Sequence, residues 1–161
     1  MRREHLDTVL LLALAFSLVM TGAPRADPAK ARLGRLAWIA LVCAKYADMS
    51  RQSNEHARLT DLGMESSRAF ADAYFSNQIT EQEASDEIPV GAMDVLFGPS
   101  KDRNFIAGRL FQSATTHAYD LVIKSDENGK ALPADKWIIS ASRVISIAED
   151  RFRVGNCSLV R

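Results

Sequence analysis

The chain of 161 residues is poor in glycine, proline and cysteine, and it has no excess of charge of either sign. Eight glycines, five prolines and two cysteines are too few for a collagen-like chain or a disulfide-dense scaffold. Twenty basic residues balance twenty acidic ones, so no overall positive field exists to hold a nucleic acid by its phosphates. Since 47% of the residues are apolar, the composition predicts an ordered globular domain rather than a disordered chain.

The N-terminal 26 residues have the pattern of an export signal. Arg2 and Arg3 precede an uncharged apolar run, residues 8–20, and small residues with one proline follow up to Ala26. This order is typical of a cleavable signal peptide, and a run of this length is short of the ~20 residues that a spanning helix needs. We therefore predict a signal peptide over 1–26 and a single domain over 27–161. An uncleaved anchor and a buried first helix of a cytosolic protein remain alternatives.

The predicted localisation is the periplasm or the exterior of the cell. No cysteine lies just after the apolar run, which excludes a lipoprotein. The domain over 27–161 has a net charge of about −1. The interpretation is thus a protein with no nucleic-acid partner and no stable membrane anchor after cleavage.

Both cysteines, Cys43 and Cys157, lie in the predicted mature domain. An oxidising compartment preserves disulfides, so the sequence predicts a bridge that closes most of the domain. Two buried free thiols, or one reactive thiol, are the alternatives. No CxxC pair or histidine pair lies near either cysteine, and we expect no metal site and no cofactor.

Apolar residues recur three or four apart almost throughout the mature domain, which is the helical period. No segment alternates long enough for a strand, so we predict an all-α bundle of four long helices and one or two short ones. Ile39, Phe105, Gly108 and Trp137 are placed on inner faces. The predicted helices cover residues 30–50, 55–76, 81–87, 89–97, 101–125 and 133–154.

Several residues mark helix ends. Thr80 and Glu83 have the spacing of a capping box, and Ser100 is the predicted cap of the helix that follows it. Pro133 suits the first position of the last helix. The dipeptide Asn128-Gly129 predicts a turn.

Residues 98–109 form the most distinctive polar segment. Ser100, Asp102, Arg103 and Arg109 surround a predicted helix start, where free N–H groups can bind an anion. The structural alternative is that Ser100 caps the helix, Asp102 complements its dipole and Gly108 allows a close helix contact. The segment is therefore a candidate binding site, and the structural role is the alternative against which it is tested.

The predicted short helix over 81–87 carries an acidic cluster. Its carboxylates belong to Glu81, Glu83, Asp86 and Glu87. Such a cluster is usually a solvated face, and the alternative is a docking surface for a basic partner.

The histidines form no metal-ligand motif. His117 and Asp120 are three residues apart, which favours a surface ion pair on one helix face. A hydrolase would require a nucleophile from Ser66, Ser67, Ser100 or Ser113, and none of these serines lies in an elbow motif.

Four elements together resemble small exported proteobacterial helical proteins of unknown function. They are the helix with Trp38, Cys43 and Tyr46, the element from Gly98-Pro99-Ser100 to Gly108-Arg109, the Ala118-Tyr119-Asp120 run, and Asn156-Cys157. A looser similarity, in architecture and cysteine placement, is to periplasmic immunity proteins of secreted cell-wall amidases. These resemblances imply an exported helical protein with a binding role and no known activity.

The sequence thus predicts a non-enzymatic exported protein that binds a protein partner of the inhibitor, immunity or stress type. A small-ligand or lipid binder with a cavity in the bundle is the second hypothesis, and an unrecognised hydrolase is the third.

Overall fold

A computed structural model describes residues 27–96 and 98–161, without the side chain of Val90. The predicted signal peptide lies outside these residues. The described chain is all-helical and contains no strand, which confirms the predicted all-α class. Its helices are α1 (Pro28–Met49), α2 (Ser53–Phe75), α3 (Glu81–Glu87), α4 (Val90–Met93), α5 (Arg103–Ile123) and α6 (Ala141–Val154), with 3₁₀ turns at Ala134–Lys136 and Cys157–Leu159.

Helix α1 is the centre of the fold, because α2, α3, α5 and α6 all pack on it. Small side chains on several of its sides let the neighbouring helices approach closely. The buried alanines are Ala31, Ala37, Ala40, Ala44 and Ala47. The expectation of one inner stripe was therefore wrong for α1, and Ile39 lies at the surface.

The closest helix contact joins α1 to α2 at two glycines. A Cβ atom built on Gly63 would lie 2.6 Å from the Leu41 side chain, and one on Gly34 would lie 2.8 Å from the Phe70 ring. Phe70 is completely buried, and truncation of such a ring to alanine typically costs about 3–5 kcal/mol. The contact of α1 with α2 therefore leaves no room for a side chain at either glycine.

Side chains near the starts of α1 and α3 accept hydrogen bonds from backbone N–H groups of the first helical turn. The Asp27 carboxylate accepts a hydrogen bond from the Ala29 N–H at the start of α1. Before α3, the Thr80 hydroxyl accepts from the Glu83 N–H, and the Glu83 carboxylate accepts from the Thr80 N–H. The capping box predicted there is confirmed.

The last helix starts eight residues later than predicted, at Ala141. Pro133 instead precedes a single 3₁₀ turn, and an irregular stretch leads on to α6. The Ile138 N–H donates to the Ile123 carbonyl at 2.9 Å, and the Trp137 indole N–H donates to the Leu132 carbonyl at 3.1 Å. These bonds tie residues 137 and 138 to the end of α5 and the loop beyond it, so Trp137 is not on an inner helix face.

The predicted Cys43–Cys157 disulfide is present, with the two Cα atoms 5.5 Å apart. Arg58 of α2 also holds the C-terminal segment, because its guanidinium donates to the carbonyls of Val160 at 2.7 Å and Cys157 at 3.4 Å. Glu55 pairs with the same guanidinium at 2.7 Å, and this hydrogen bond lowers the pKa of the Glu55 carboxyl. The C-terminus is thus attached to both α1 and α2.

Candidate functional site

The start of α5 is capped by Asp102 and not by Ser100. The Asp102 carboxylate accepts hydrogen bonds from the N–H groups of Asn104 at 2.9 Å and Phe105 at 2.8 Å. The Ser100 hydroxyl accepts from the Asp102 N–H at 3.1 Å, so it orders the residue that caps. The prediction of a Ser100 cap was wrong by two residues. Since a carboxylate of the chain already occupies these N–H groups, the structural interpretation of this segment gains support over anion binding.

Arg103 and its neighbour Asn104 connect the start of α5 to α2. The Arg103 guanidinium lies 2.9 Å from the Asp72 carboxylate, and the Arg68 Nε donates to the Asn104 side chain at 2.9 Å. Arg109, in contrast, is exposed and has no ion pair among the described residues. The proposed binding set therefore contains residues with structural partners and one cation directed to solvent.

The packing role expected for Gly108 was wrong, since a Cβ atom there would meet no atom within 4 Å. Phe105, expected on the inner face, is exposed. The buried side chains at the start of α5 belong to Ile106, Ala107 and Leu110. The inner face at the start of the helix is therefore rotated by one residue from the predicted one.

The acidic cluster over 81–87 is largely engaged within the chain. Glu83 completes the capping box, Glu87 lies 2.8 Å from the Arg35 guanidinium, and Asp86 accepts from the Gln82 side chain at 2.8 Å. Glu81 is exposed. Burial, with the nearby Glu81 carboxylate as a second cause, raises the pKa of the Tyr74 phenol.

His56 and His117 pack against other residues rather than against a nucleophile. The ring of His117 packs at a tilt of 43° against the ring of Trp38, with centroids 5.6 Å apart, and Asp120 pairs with Lys124 at 2.7 Å. The predicted His117–Asp120 pair was wrong, because Lys124 is the residue that reaches Asp120. His56 Nδ1 lies 3.0 Å from the Ala44 carbonyl. No group of three or more potential metal ligands occurs within the described part of the chain.

A surface groove of about 700 Å³ lies between the end of α5, the loop after it and one face of α6. We call it the C-terminal groove, and sequence reasoning missed it. Its wall mixes apolar, serine and charged side chains, and it is open to solvent along part of its length. Its lining residues are Leu121, Ser125, Asp126, Glu127, Leu132, Lys136, Ile138, Arg143, Ser146, Ile147, Asp150, Arg151 and Val154.

The groove exists because α6 packs on α1 through one face and turns another face toward α5. Ala148 and Phe152 are the buried residues of α6, and Ile147 and Val154 point along the groove. At one end, the Arg151 guanidinium donates to the Asp126 carbonyl at 3.2 Å. Arg143, Ile147, Asp150 and Val154 recur at helical spacing, which is the sequence signal that could have indicated a second face.

A second, shallower cleft of about 300 Å³ runs between α1 and α5, with His56 at its edge. Its four other charged groups are paired within the chain. Lys45 lies 2.6 Å from Asp48, and Lys124 lies 2.7 Å from Asp120. This cleft therefore offers less unsatisfied charge than the C-terminal groove.

Similarity to known proteins does not indicate a function for this chain, so function is inferred from its structure. No protein-family model, no curated protein and no solved structure matches this chain. Among the helices described, none is long and apolar enough to cross a membrane.

Proposed function

We propose that this protein is exported and that it binds another protein through the C-terminal groove. The disulfide supports export, because such bonds persist in oxidising compartments and are rare in the cytosol. The apolar run before residue 21 supports the same conclusion. The role is binding, of the inhibitor, immunity or stress type, rather than catalysis.

The observation that carries the proposal is the apolar surface around the groove. Val154 lines the groove and is 63% exposed, although it is a large apolar side chain. Leu121 and Ile147, which are half-buried, continue this apolar surface between charged residues, and the buried Ile138 also lines the groove. Apolar surface with a polar rim is characteristic of protein interaction sites.

The resemblance to small exported proteobacterial proteins supports a shared architecture more than a shared site. Cys43 and Tyr46 are buried, Asp102 caps α5, and Asn156 has the left-handed conformation that turns the chain after α6. These residues build the fold. The similarity to amidase immunity proteins therefore adds to the proposal only through helical architecture and cysteine placement.

A small amphiphilic ligand is the second candidate occupant. The volume of the groove lies within the ~300–1,000 Å³ range of small-molecule sites. Its partly open form favours a protein segment over a lipid tail, because an apolar tail is best sheltered from water on all sides.

Photo-crosslinking in the source cells tests the proposal. A photoreactive amino acid at Val154 or Ser146 should give a discrete protein adduct. The same amino acid at Leu159 is the matched control, because this side chain is 68% exposed and does not line the groove. Adducts that form equally at all three positions, or no adduct from the groove in cells that contain the folded protein, would contradict the proposal. An amphiphile that co-purifies with the folded protein, and that the native groove protects from exchange with free ligand, would favour the small amphiphilic ligand as the occupant.

A further inference from the structure

The charges around the C-terminal groove are unevenly compensated. Three basic residues line the groove, namely Lys136, Arg143 and Arg151. Lys136 and Arg143 have no ion pair among the described residues, and Arg151 donates to backbone carbonyls, which carry no net charge. The positive charge of the wall is therefore largely free to act on a bound molecule.

The acidic side chains of the groove are mostly engaged within the chain. The Asp126 carboxylate accepts from the N–H groups of Asn128 at 3.0 Å and Lys130 at 2.9 Å. Asp150 is paired with Arg153. Glu127 is exposed and has no ion pair in the described region. The N–H groups that bind Asp126 occupy its oxygens but do not cancel its charge, so three cations without a charged partner face two such carboxylates.

We propose that the groove selects a segment of its protein partner that carries acidic side chains among apolar ones. This inference rests on the proposed function and deepens it. Apolar side chains of the segment would cover Leu121, Ile147 and Val154, and its carboxylates would pair with Lys136 and Arg143. Charge complementarity of this kind gives a partner its specificity and its rate of association.

A second copy of this chain does not meet this description as well. Its densest acidic element is α3, but the apolar residues Ala84 and Ile88 beside those acids are buried in the chain's own core. Docking of α3 would therefore supply carboxylates without apolar side chains for the groove. A distinct partner is the occupant that the chemistry favours.

Fluorescence anisotropy with three labelled peptides tests the selection. The probes are repeats of Leu-Glu-Ser, Leu-Gln-Ser and Leu-Lys-Ser, which differ only in charge. We expect the acidic peptide to bind about tenfold tighter than the basic one, and to weaken as salt rises, since exposed charges are screened. Val154→Glu should weaken binding of the acidic peptide, whereas Leu159→Glu should leave it unchanged.

Matched charge reversals locate the effect. Lys136→Glu combined with Arg143→Glu should remove the preference for the acidic peptide. Arg32→Glu combined with Arg161→Glu changes the net charge equally at exposed positions outside the groove and should preserve that preference. Equal losses in both double variants, or no preference among the peptides, would overturn the inference.

The outcomes separate this inference from the proposed function. Binding of all three peptides with equal affinity, lost in Val154→Glu, would overturn charge selection and leave protein binding intact. If no peptide binds although crosslinked protein adducts form at Val154 in cells, the inferred composition of the segment is wrong. Dodecanoate is the probe for a small amphiphilic ligand. If it binds and Val154→Glu abolishes that binding, while no peptide binds and no protein adduct forms, both the inference and the proposed function are wrong.

Discussion

At the scale of single residues, Gly63 and Gly108 lie in the middle of long helices but in opposite surroundings. Gly63 faces Leu41 across the contact of α1 with α2, whereas Gly108 faces open space. We expect Gly63→Ala to destabilise the protein by about 1–3 kcal/mol through overpacking. Gly108→Ala should stabilise it by about 0.5–1 kcal/mol, because alanine restricts the unfolded chain and favours the helix. Chemical denaturation measures both, and destabilisation by Gly108→Ala would contradict the packing described.

The cap of α5 provides a second test at this scale. Asp102→Ala should cost about 1 kcal/mol, since two N–H groups lose their acceptor. Ser100→Ala should cost less, because the serine only orders the capping residue. Arg103→Ala should change stability by about 0–1 kcal/mol, as its ion pair with Asp72 is exposed. A larger loss in Ser100→Ala than in Asp102→Ala would contradict this assignment.

Tyr46 makes stability depend on alkaline pH. Its burial raises the pKa of the phenol, and the positive charge of Arg151 opposes this effect in part. Because the folded pKa exceeds the unfolded value of about 10, the neutral phenol contributes stability below pH ~10 that is lost as pH rises through the folded pKa. Tyr46→Phe should lose stability less steeply above pH ~10 than the natural protein. Tyr119→Phe, at an exposed position, is the control and should keep the natural slope.

At the scale of elements, α6 differs from α1 and α2 in how it is held. Ala148 and Phe152 are its buried residues, and the disulfide joins the segment after it to α1. A short helix with little buried surface depends on such an attachment, since few isolated helices are stable in water. The C-terminal groove therefore has one stable wall on α5 and one wall of lower local stability on α6.

Loss of either cysteine should therefore affect α6 first. Cys43→Ser and Cys157→Ser should each lower the free energy of unfolding by up to ~5 kcal/mol, because the bridge closes a long loop in the unfolded chain. Hydrogen exchange should show that the α6 amide groups lose protection before those of α1 and α2. Uniform loss of protection across all helices, or unequal losses of stability in the two variants, would contradict this description.

At the scale of the whole molecule, the expected cleavage after Ala26 is compatible with the fold. Asp27 caps α1, and its N–H donates to the Gln78 carbonyl at 3.2 Å. A chain that begins at Asp27 keeps every described helix and its cap. Mass spectrometry of protein from the cell envelope should therefore find Asp27 as the first residue. An intact Met1 on that protein would contradict the prediction.

Much of the architecture was readable from local patterns. The helical period, the capping box at Thr80 and the turn at Gly129, where φ is +79°, all depend on neighbours within a few residues. The pairing of Cys43 with Cys157 was predicted because the chain has only two cysteines and because its predicted localisation is an oxidising compartment. None of these inferences required knowledge of which helices pack together.

The sequence by itself determined the all-helical class and most helix boundaries, because hydrogen bonds within helices and caps are local. It predicted the disulfide for a different reason, since two cysteines allow only one pairing. Tertiary structure alone decided that α1 is central, that Gly108 faces solvent and that residues 133–140 are not part of the last helix. Bonds from Ile138 and Trp137 to residues before the turn outweigh the helical pattern there. The C-terminal groove depends on the same late start of α6 and on its packing against α1. The helical spacing of Arg143, Ile147, Asp150 and Val154 indicates a second face of α6, but it does not show which segment that face meets, because contacts between distant segments leave no period in the sequence.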